Sequence, residues 1–169
     1  FVLMFLLRGL PFVDLAYLRK SDLRDNVITY RRRKTGRPLS VTLTPEALEL
    51  LKKYMNRDSH SPYLFSLLKS GEGTKEAYRE YQLALRSFNQ QLTLLGEVLG
   101  LNDRLSSYTA RHTWATTAYY CEIHPGIISE AMGHSSIKVT ETYLKPFRNK
   151  KIDVANNQII LFVKHSIAP

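Results

Sequence analysis

Cysteine is almost missing from this chain: Cys121 is the one example in 169 residues. A disulfide framework and a cysteine-based zinc site are both excluded. Nothing then ties the chain to an oxidising compartment, and a cytosolic setting is the simplest expectation. Long apolar runs are also lacking. Phe1-Val2-Leu3-Met4-Phe5-Leu6-Leu7 is far shorter than the roughly 20 apolar residues a membrane span needs. It has neither the basic residue before it nor the small-residue cleavage site after it that a secretory signal carries. Because the chain opens on Phe inside an apolar helical run with no cap, we expect a piece of a longer protein with a domain missing upstream. There is no internal repeat, no low-complexity tract, no glycine-rich phosphate loop and no carboxylate cluster at metal-ligand spacing. With 44% hydrophobic residues, disorder and a collagen-like composition are excluded, and the length suits one domain, taken as residues 1–169.

Positive charge is in excess. Lys plus Arg is 24 against 15 acidic residues, a formal net charge of +9. The excess sits in two stretches. From Arg19 to Arg37 eight basic residues (Arg19, Lys20, Arg24, Arg31, Arg32, Arg33, Lys34, Arg37) face only Asp22 and Asp25, and from Lys138 to Lys151 five (Lys138, Lys145, Arg148, Lys150, Lys151) face only Glu141. Concentrated cations of this kind suit a polyanion surface, with a solvated basic face as the plainer alternative. Arg31, Arg32, Arg33, Arg37, Lys138 and Lys145 are the candidate nucleic-acid contacts.

Periodicity predicts a mostly helical chain with a small antiparallel sheet, an α+β class. Residues 1–18 read as a buried helix interrupted at Gly9 and Pro11. Val27–Arg33 and Pro38–Leu43 read as two strands, with Lys34-Thr35-Gly36-Arg37 as a cationic turn. Thr44 and Pro45 open a helix. Lys75–Gly100 reads as a long helix with Tyr78, Tyr81, Leu85, Phe88, Leu92, Leu95 and Leu99 on one stripe. Ser106 or Ser107 is expected to cap the next helix. Pro125 starts another that Gly133 ends. Short and final helices follow, over about Ile137–Tyr143 and around Val154–Val163.

Chemistry-bearing residues stand in two clusters. In Tyr108-Thr109-Ala110-Arg111-His112-Thr113, Tyr108 and Arg111 lie three apart and share a helix face. In Gly133-His134-Ser135-Ser136 a histidine follows a helix end, and Tyr143 comes nine residues later. Arg8 interrupts an apolar helix, and Lys34 tops the hairpin. Each also has an ordinary reading: Tyr143 as packing, His134 as a turn residue, Arg111 paired with a core carboxylate, Arg8 paired with Asp14.

Taken together, and in this order, these pieces resemble the catalytic domain of the tyrosine recombinases, the phage-integrase family. The resemblance rests on the Arg8-bearing first helix with Asp14-Leu15, on Arg33-Lys34-Thr35-Gly36, on Ala110-Arg111-His112-Thr113-Trp114-Ala115-Thr116, and on Met132-Gly133-His134-Ser135-Ser136 followed by Thr140 and Tyr143. It covers about the whole chain. The wording Arg8-Gly9-Leu10-Pro11-Phe12-Val13-Asp14-Leu15 is similar to Bacteroides-type integrases of mobile elements.

The resemblance implies a metal-free, cofactor-free DNA strand transferase. The Tyr143 hydroxyl attacks a scissile phosphodiester, a 3′-phosphotyrosyl link forms and a 5′-hydroxyl leaves; a second 5′-hydroxyl later reverses the step on a new strand. Arg8 and Arg111 are implied as the guanidinium donors to the phosphate, Lys34 as the acid for the leaving oxygen, and His134 as a hydrogen-bond donor to a phosphate oxygen. His112 is implied as a structural hydrogen-bond partner, and Asp14 as a residue that positions an arginine. Partners implied are double-stranded DNA at specific sites and further copies of the chain, as a tetramer on paired sites, with a bacterial cytoplasmic location at the nucleoid. Two departures stand out. The family's second box reads His-x-x-Arg, and here Tyr108 holds the histidine's place. The first-box arginine normally stands three residues before the acidic residue, where this chain has Pro11. Two rivals remain: a type IB topoisomerase-like transferase, and an inactive DNA-binding module. An RNA binder has no use for the ordered boxes. The recombinase reading requires five scattered side chains, two of them guanidinium groups, to converge on Tyr143.

Overall fold

The computed structural model describes residues 1–144 and 149–167. The apolar start forms α1 (Val2–Leu6), and Pro11 caps α2 (Phe12–Tyr17). The expected interrupted helix is two helices with a tight corner between them. Arg8 and Gly9 take left-handed backbone, φ 58° and 68°, and the Leu10 N–H closes on the Met4 carbonyl at 2.9 Å. Gly9 is needed twice over. Its φ is positive, and a Cβ there would lie 2.9 Å from the Arg111 Cα.

The sheet has three antiparallel strands in the order β1 (Leu23–Arg24), β2 (Val27–Arg31), β3 (Pro38–Thr42). Ile28 pairs with Val41 and Tyr30 with Leu39. Ile28 and Val41 are both buried. β1 was not expected: two residues are too few to alternate. Its signal is Asp25-Asn26, a two-residue turn with φ of 49° and 62°. β2 ends two residues earlier than expected, because the tip closes on itself. The Arg32 N–H donates to the Arg37 carbonyl at 2.8 Å, and the Gly36 N–H donates to the Arg32 carbonyl at 2.7 Å.

Thr44 accepts from the Ala47 N–H and opens α3 (Pro45–Tyr54), as expected; Thr74 does the same for α4 (Lys75–Val98). The main core joins Met4, Leu7, Leu10 and Phe12 of the first two helices to Ile28 and Val41 of the sheet, Leu51 of α3 and the loop residues Leu64 and Phe65. Tyr81, Leu85 and Phe88 of α4 pack on it, with the Phe88 ring stacked on Phe12 at 4.8 Å between centroids. The rest of the expected α4 stripe behaves differently: Leu92 is buried, but Tyr78, Leu95 and Leu99 are exposed. A helix of 24 residues is about 36 Å long, and its ends outreach the core.

The second half carries α5 (Thr109–Tyr120), α6 (Pro125–Ala131), α7 (Ile137–Glu141) and α8 (Asn149–Ile167). Ser106 and Ser107 do not cap α5 directly; the N-cap position is Tyr108, with no side-chain bond. Ser106 instead holds the preceding turn, its Oγ accepting from the Tyr108 N–H at 3.3 Å and its own N–H donating to Thr109 Oγ1 at 2.9 Å. Pro125 starts α6, with His124 Nδ1 accepting from the Gly126 N–H. A second, smaller apolar cluster of Ala115, Ile128 and Met132 takes Trp114 and Tyr143 against it. The apolar run Ile159–Val163 on α8 is exposed. Among the described residues no helix is long and apolar enough to cross a membrane.

Candidate active site

Arg111 is the best-anchored cation of the molecule's interior. It lies in the first turn of α5, with the side chain running back to the corner between α1 and α2. Nη1 donates to the Gly9 carbonyl at 2.7 Å and Nη2 to the Met132 carbonyl at 2.8 Å. Both acceptors are main-chain carbonyls, so no carboxylate neutralises the charge at these contacts. The residue is 2% exposed. Burial and the neighbouring Arg32 charge lower its pKa, while the Tyr143 phenol beside it acts in the opposite direction.

His134 follows Gly133 at the end of α6. Gly133 has φ 65°, and the His134 N–H turns back to the Ser129 carbonyl at 3.0 Å. The ring is buried, with Nδ1 at 2.8 Å from the Thr140 hydroxyl of α7. Its pKa falls to about 4, first through burial and then through the positive charges of Arg111, Arg32 and Lys34. It is therefore neutral near pH 7. In the tautomer in which the Thr140 hydroxyl donates to Nδ1, the proton sits on Nε2, which has no partner among the described residues.

Tyr143 follows α7 and is half-buried. Its ring stacks on His134 at 5.2 Å and 25° and lies 4.4 Å from the His112 ring, tilted by 37°. Thr116 of α5 donates to its carbonyl at 3.3 Å. The phenol is thus in contact with two imidazoles and lies beside the Arg111 guanidinium.

The hairpin tip folds over this group. Thr35 Oγ1 donates to the Gly133 carbonyl at 3.1 Å and Arg37 Nη1 to the His134 carbonyl at 2.6 Å. These bonds carry exposed Lys34 close enough for its charge to act on His134. Arg32 points inward, 5% exposed, and pairs with buried Asp14. A Cβ on Gly133 would stand 2.8 Å from the Arg32 Cγ, so the arginine stem lies directly on that glycine.

Of the expected site residues, the structure gathers Lys34, Arg111, His134 and Tyr143. It does not gather Arg8 or Tyr108. Arg8 sits in the left-handed corner and donates from Nη1 to the Ser40 carbonyl on β3 at 3.2 Å; the partner of Asp14 is Arg32, not Arg8. Tyr108 is 50% exposed, and its ring lies 6.0 Å from His112, which stands between it and Tyr143. The expected DNA contacts also divide. Arg31 and Lys138 are exposed, and Arg31 Nη1 reaches the Gly36 carbonyl at 3.1 Å. Arg33 is tied to Glu72 and lies over the Tyr17 ring at 3.8 Å. Arg32 is held within the fold, whereas Arg37 is exposed with Nη1 on the His134 carbonyl. Lys145 lies outside the described residues.

Two residues were undervalued in the sequence. Strand alternation puts Ile28, Tyr30 and Arg32 on one face, which was a readable signal that Arg32 points inward. His112 gave no such signal: its contact with Tyr143 depends on how α7 docks. Its pKa is lowered, by desolvation first and then by Arg111.

The model of the Phage integrase family matches residues 1–150. The chain belongs to the phage integrase family. Among curated members, the tyrosine recombinase XerC of Haemophilus ducreyi is 29% identical over 134 residues, covering 76% of this chain and 42% of that protein. Among solved structures, XerA recombinase matches with a TM-score of 0.64 at 20% identity, over 93% of this chain and 54% of that one. The Tn1549 transposon integrase, solved with transposon right end DNA, matches with a TM-score of 0.64 at 16% identity, over 94% of this chain and 58% of that one. These likenesses establish the integrase-family catalytic-domain fold. The chain spans about half the length of the curated family members it matches.

Proposed function

We propose that this chain supplies the catalytic domain of a site-specific DNA strand transferase, an integrase or recombinase of a mobile element, with double-stranded DNA as substrate. The observation that carries the reading is the placement of Tyr143: one phenol, in contact with two imidazoles and beside a buried guanidinium that no carboxylate holds, with a lysine-tipped hairpin folded over it.

The chemistry follows from those positions. The Tyr143 oxygen bonds to the scissile phosphorus as the bond from phosphorus to the 5′-oxygen breaks, leaving a 3′-phosphotyrosyl link. Lys34 gives its proton to the departing oxygen, and the phenolic proton passes to a neighbouring base. His112 is better placed than Tyr108 to take it, being the nearer ring and an imidazole of lowered pKa. Negative charge gathered on the phosphate is met by Arg111 and by a hydrogen bond from neutral His134 Nε2. One phosphate ester is exchanged for another, so its bond energy is kept in the link, and attack by a second 5′-hydroxyl reseals a strand as the tyrosyl oxygen leaves, without an external energy source. Assembly as a tetramer on paired sites, with the exposed apolar run of α8 covered by a neighbouring copy, belongs to the same proposal. So does action at the nucleoid.

The test is adduct capture. The chain is incubated with a pool of nicked duplexes of randomised sequence, whose nick lets the cleaved 5′-end diffuse away, and resolved on a denaturing gel. A covalent protein–DNA band with the unsubstituted chain and none with Tyr143→Phe is the expected result. A band that persists in Tyr143→Phe refutes the nucleophile, and no band from the unsubstituted chain refutes strand transfer and favours an inert DNA-binding module.

A further inference from the structure

Among the described residues, two buried side-chain nitrogens have no hydrogen-bond partner: Arg32 Nε and His134 Nε2. Leaving such a group unpaired forfeits its hydration with nothing in return. They lie in the same small region. The Arg32 stem rests on Gly133, next to His134 in sequence, and its charge acts on both His134 and Arg111. Two unpaired nitrogens beside a third, carbonyl-anchored cation describe a place built for an acceptor that comes from outside the chain.

The way Asp14 holds Arg32 points the same way. A purely structural arginine–carboxylate pair tends to close as a two-pronged fork. Here one Asp14 oxygen takes Arg32 Nη1, while the other accepts the Arg33 backbone N–H at 2.9 Å. Asp14 therefore gives one oxygen to Arg32 Nη1 and the other to the Arg33 backbone, and Nε stays uncommitted. At 5% exposure Arg32 cannot act as a general backbone contact on the protein surface; only a group that enters the site can meet it.

We propose that Arg32 is the second guanidinium of the active site. With the scissile phosphate bound, its Nε–H donates to a non-bridging oxygen on the side away from Lys34, while Nη1 stays on Asp14. This takes over the task that Pro11 cannot perform, while Arg8 has its Nη1 on the Ser40 carbonyl. The inference rests on the strand-transfer reading above, and it assigns a catalytic arginine to the hairpin rather than to the first helices.

The test uses a duplex recovered as an adduct from the randomised pool, made with either an ordinary phosphate or a neutral methylphosphonate at the scissile position. Arg32→Ala and Arg32→Lys are expected to slow adduct formation on the phosphate by about 100-fold, the usual effect of removing one fixed transition-state donor. Gel-shift affinity for the duplex stays near that of the unsubstituted chain. On the methylphosphonate, which lacks the charge Arg32 answers, most of that penalty disappears. Arg8→Ala costs at least tenfold less than Arg32→Ala. An equal penalty on both backbones would make Arg32 a structural residue and overturn the proposal, as would unchanged cleavage in Arg32→Lys or a larger loss in Arg8→Ala. Should Arg32→Ala fail to fold, Arg32→Lys keeps the cation opposite Asp14 and carries the comparison alone. Failure of the unsubstituted chain to form any adduct sinks strand transfer itself and this inference with it.

Discussion

Acid should weaken this fold in large part through the imidazole of His134. His134 is buried among Arg111, Arg32 and Lys34, and its pKa lies at about 4 instead of the ordinary 6.5. The folded state therefore favours the neutral ring, and between those two values the unfolded chain binds the proton that the folded one refuses. Stability tied to His134 is complete above about pH 6.5 and is lost progressively as pH falls toward 4. At 1.36 kcal/mol for each pKa unit of difference, the stability lost is about 2 kcal/mol at pH 5 and about 3 kcal/mol at pH 4. The measurement is urea unfolding at pH 7.5 and pH 5.0 for the unsubstituted chain and for His134→Gln, which keeps a polar side chain and removes the titration. Carboxylates titrate in both proteins, so the difference between their pH slopes isolates the ring. The variant should lose about 2 kcal/mol less than the parent over that interval. Parallel slopes would show that the ring ionises freely in the folded chain, and the argument that burial and three neighbouring cations hold it neutral would be wrong.

Two further substitutions probe the same region. His112→Ala should slow adduct formation by about 100-fold, as expected for loss of a general base, with a larger deficit than Tyr108→Phe; single-turnover cleavage on the nicked duplex measures both, and a larger loss at Tyr108 would return the proton to the phenol. Gly133→Ala should destabilise the chain by about 1–3 kcal/mol, since its φ is positive and the new Cβ would sit 2.8 Å from the Arg32 Cγ and 2.9 Å from the Leu39 Cδ1; thermal unfolding reads this out, and an unshifted melt would mean the hairpin rides loosely on that loop.

The sequence revealed some layers of this protein and hid others, for physical reasons. Helix starts at Thr44-Pro45 and Pro125, the glycine stop at Gly133 and the hairpin turn at Lys34–Arg37 were legible because each depends on local backbone chemistry. Convergence of Lys34, Arg111, His134 and Tyr143 was legible as ordered motifs. Periodicity treats the first helices as one rod, in which Arg8 and Pro11 share a face; the corner with two left-handed residues was hidden, and it brings Arg8 to the Ser40 carbonyl of β3. Arg32 was grouped with surface cations because charge counting does not distinguish the two faces of a strand. The exposed ends of α4 were hidden because an apolar stripe reports what could be buried, not how far the core extends. His112 depended on the docking of α7, a long-range contact with no local trace.

Arg111 is gripped by the carbonyls of Gly9 and Met132, 102 and 21 residues away in sequence. Peptide oxygens exist whatever amino acid stands at a position, so this clasp can survive wholesale replacement of the surrounding side chains. Relatives that share little wording in those two segments can still aim the guanidinium identically, provided the corner and the helix end keep their shape. Substitutions around the site are then free to change its surroundings without loosening the guanidinium that the proposed reaction sets on the phosphate.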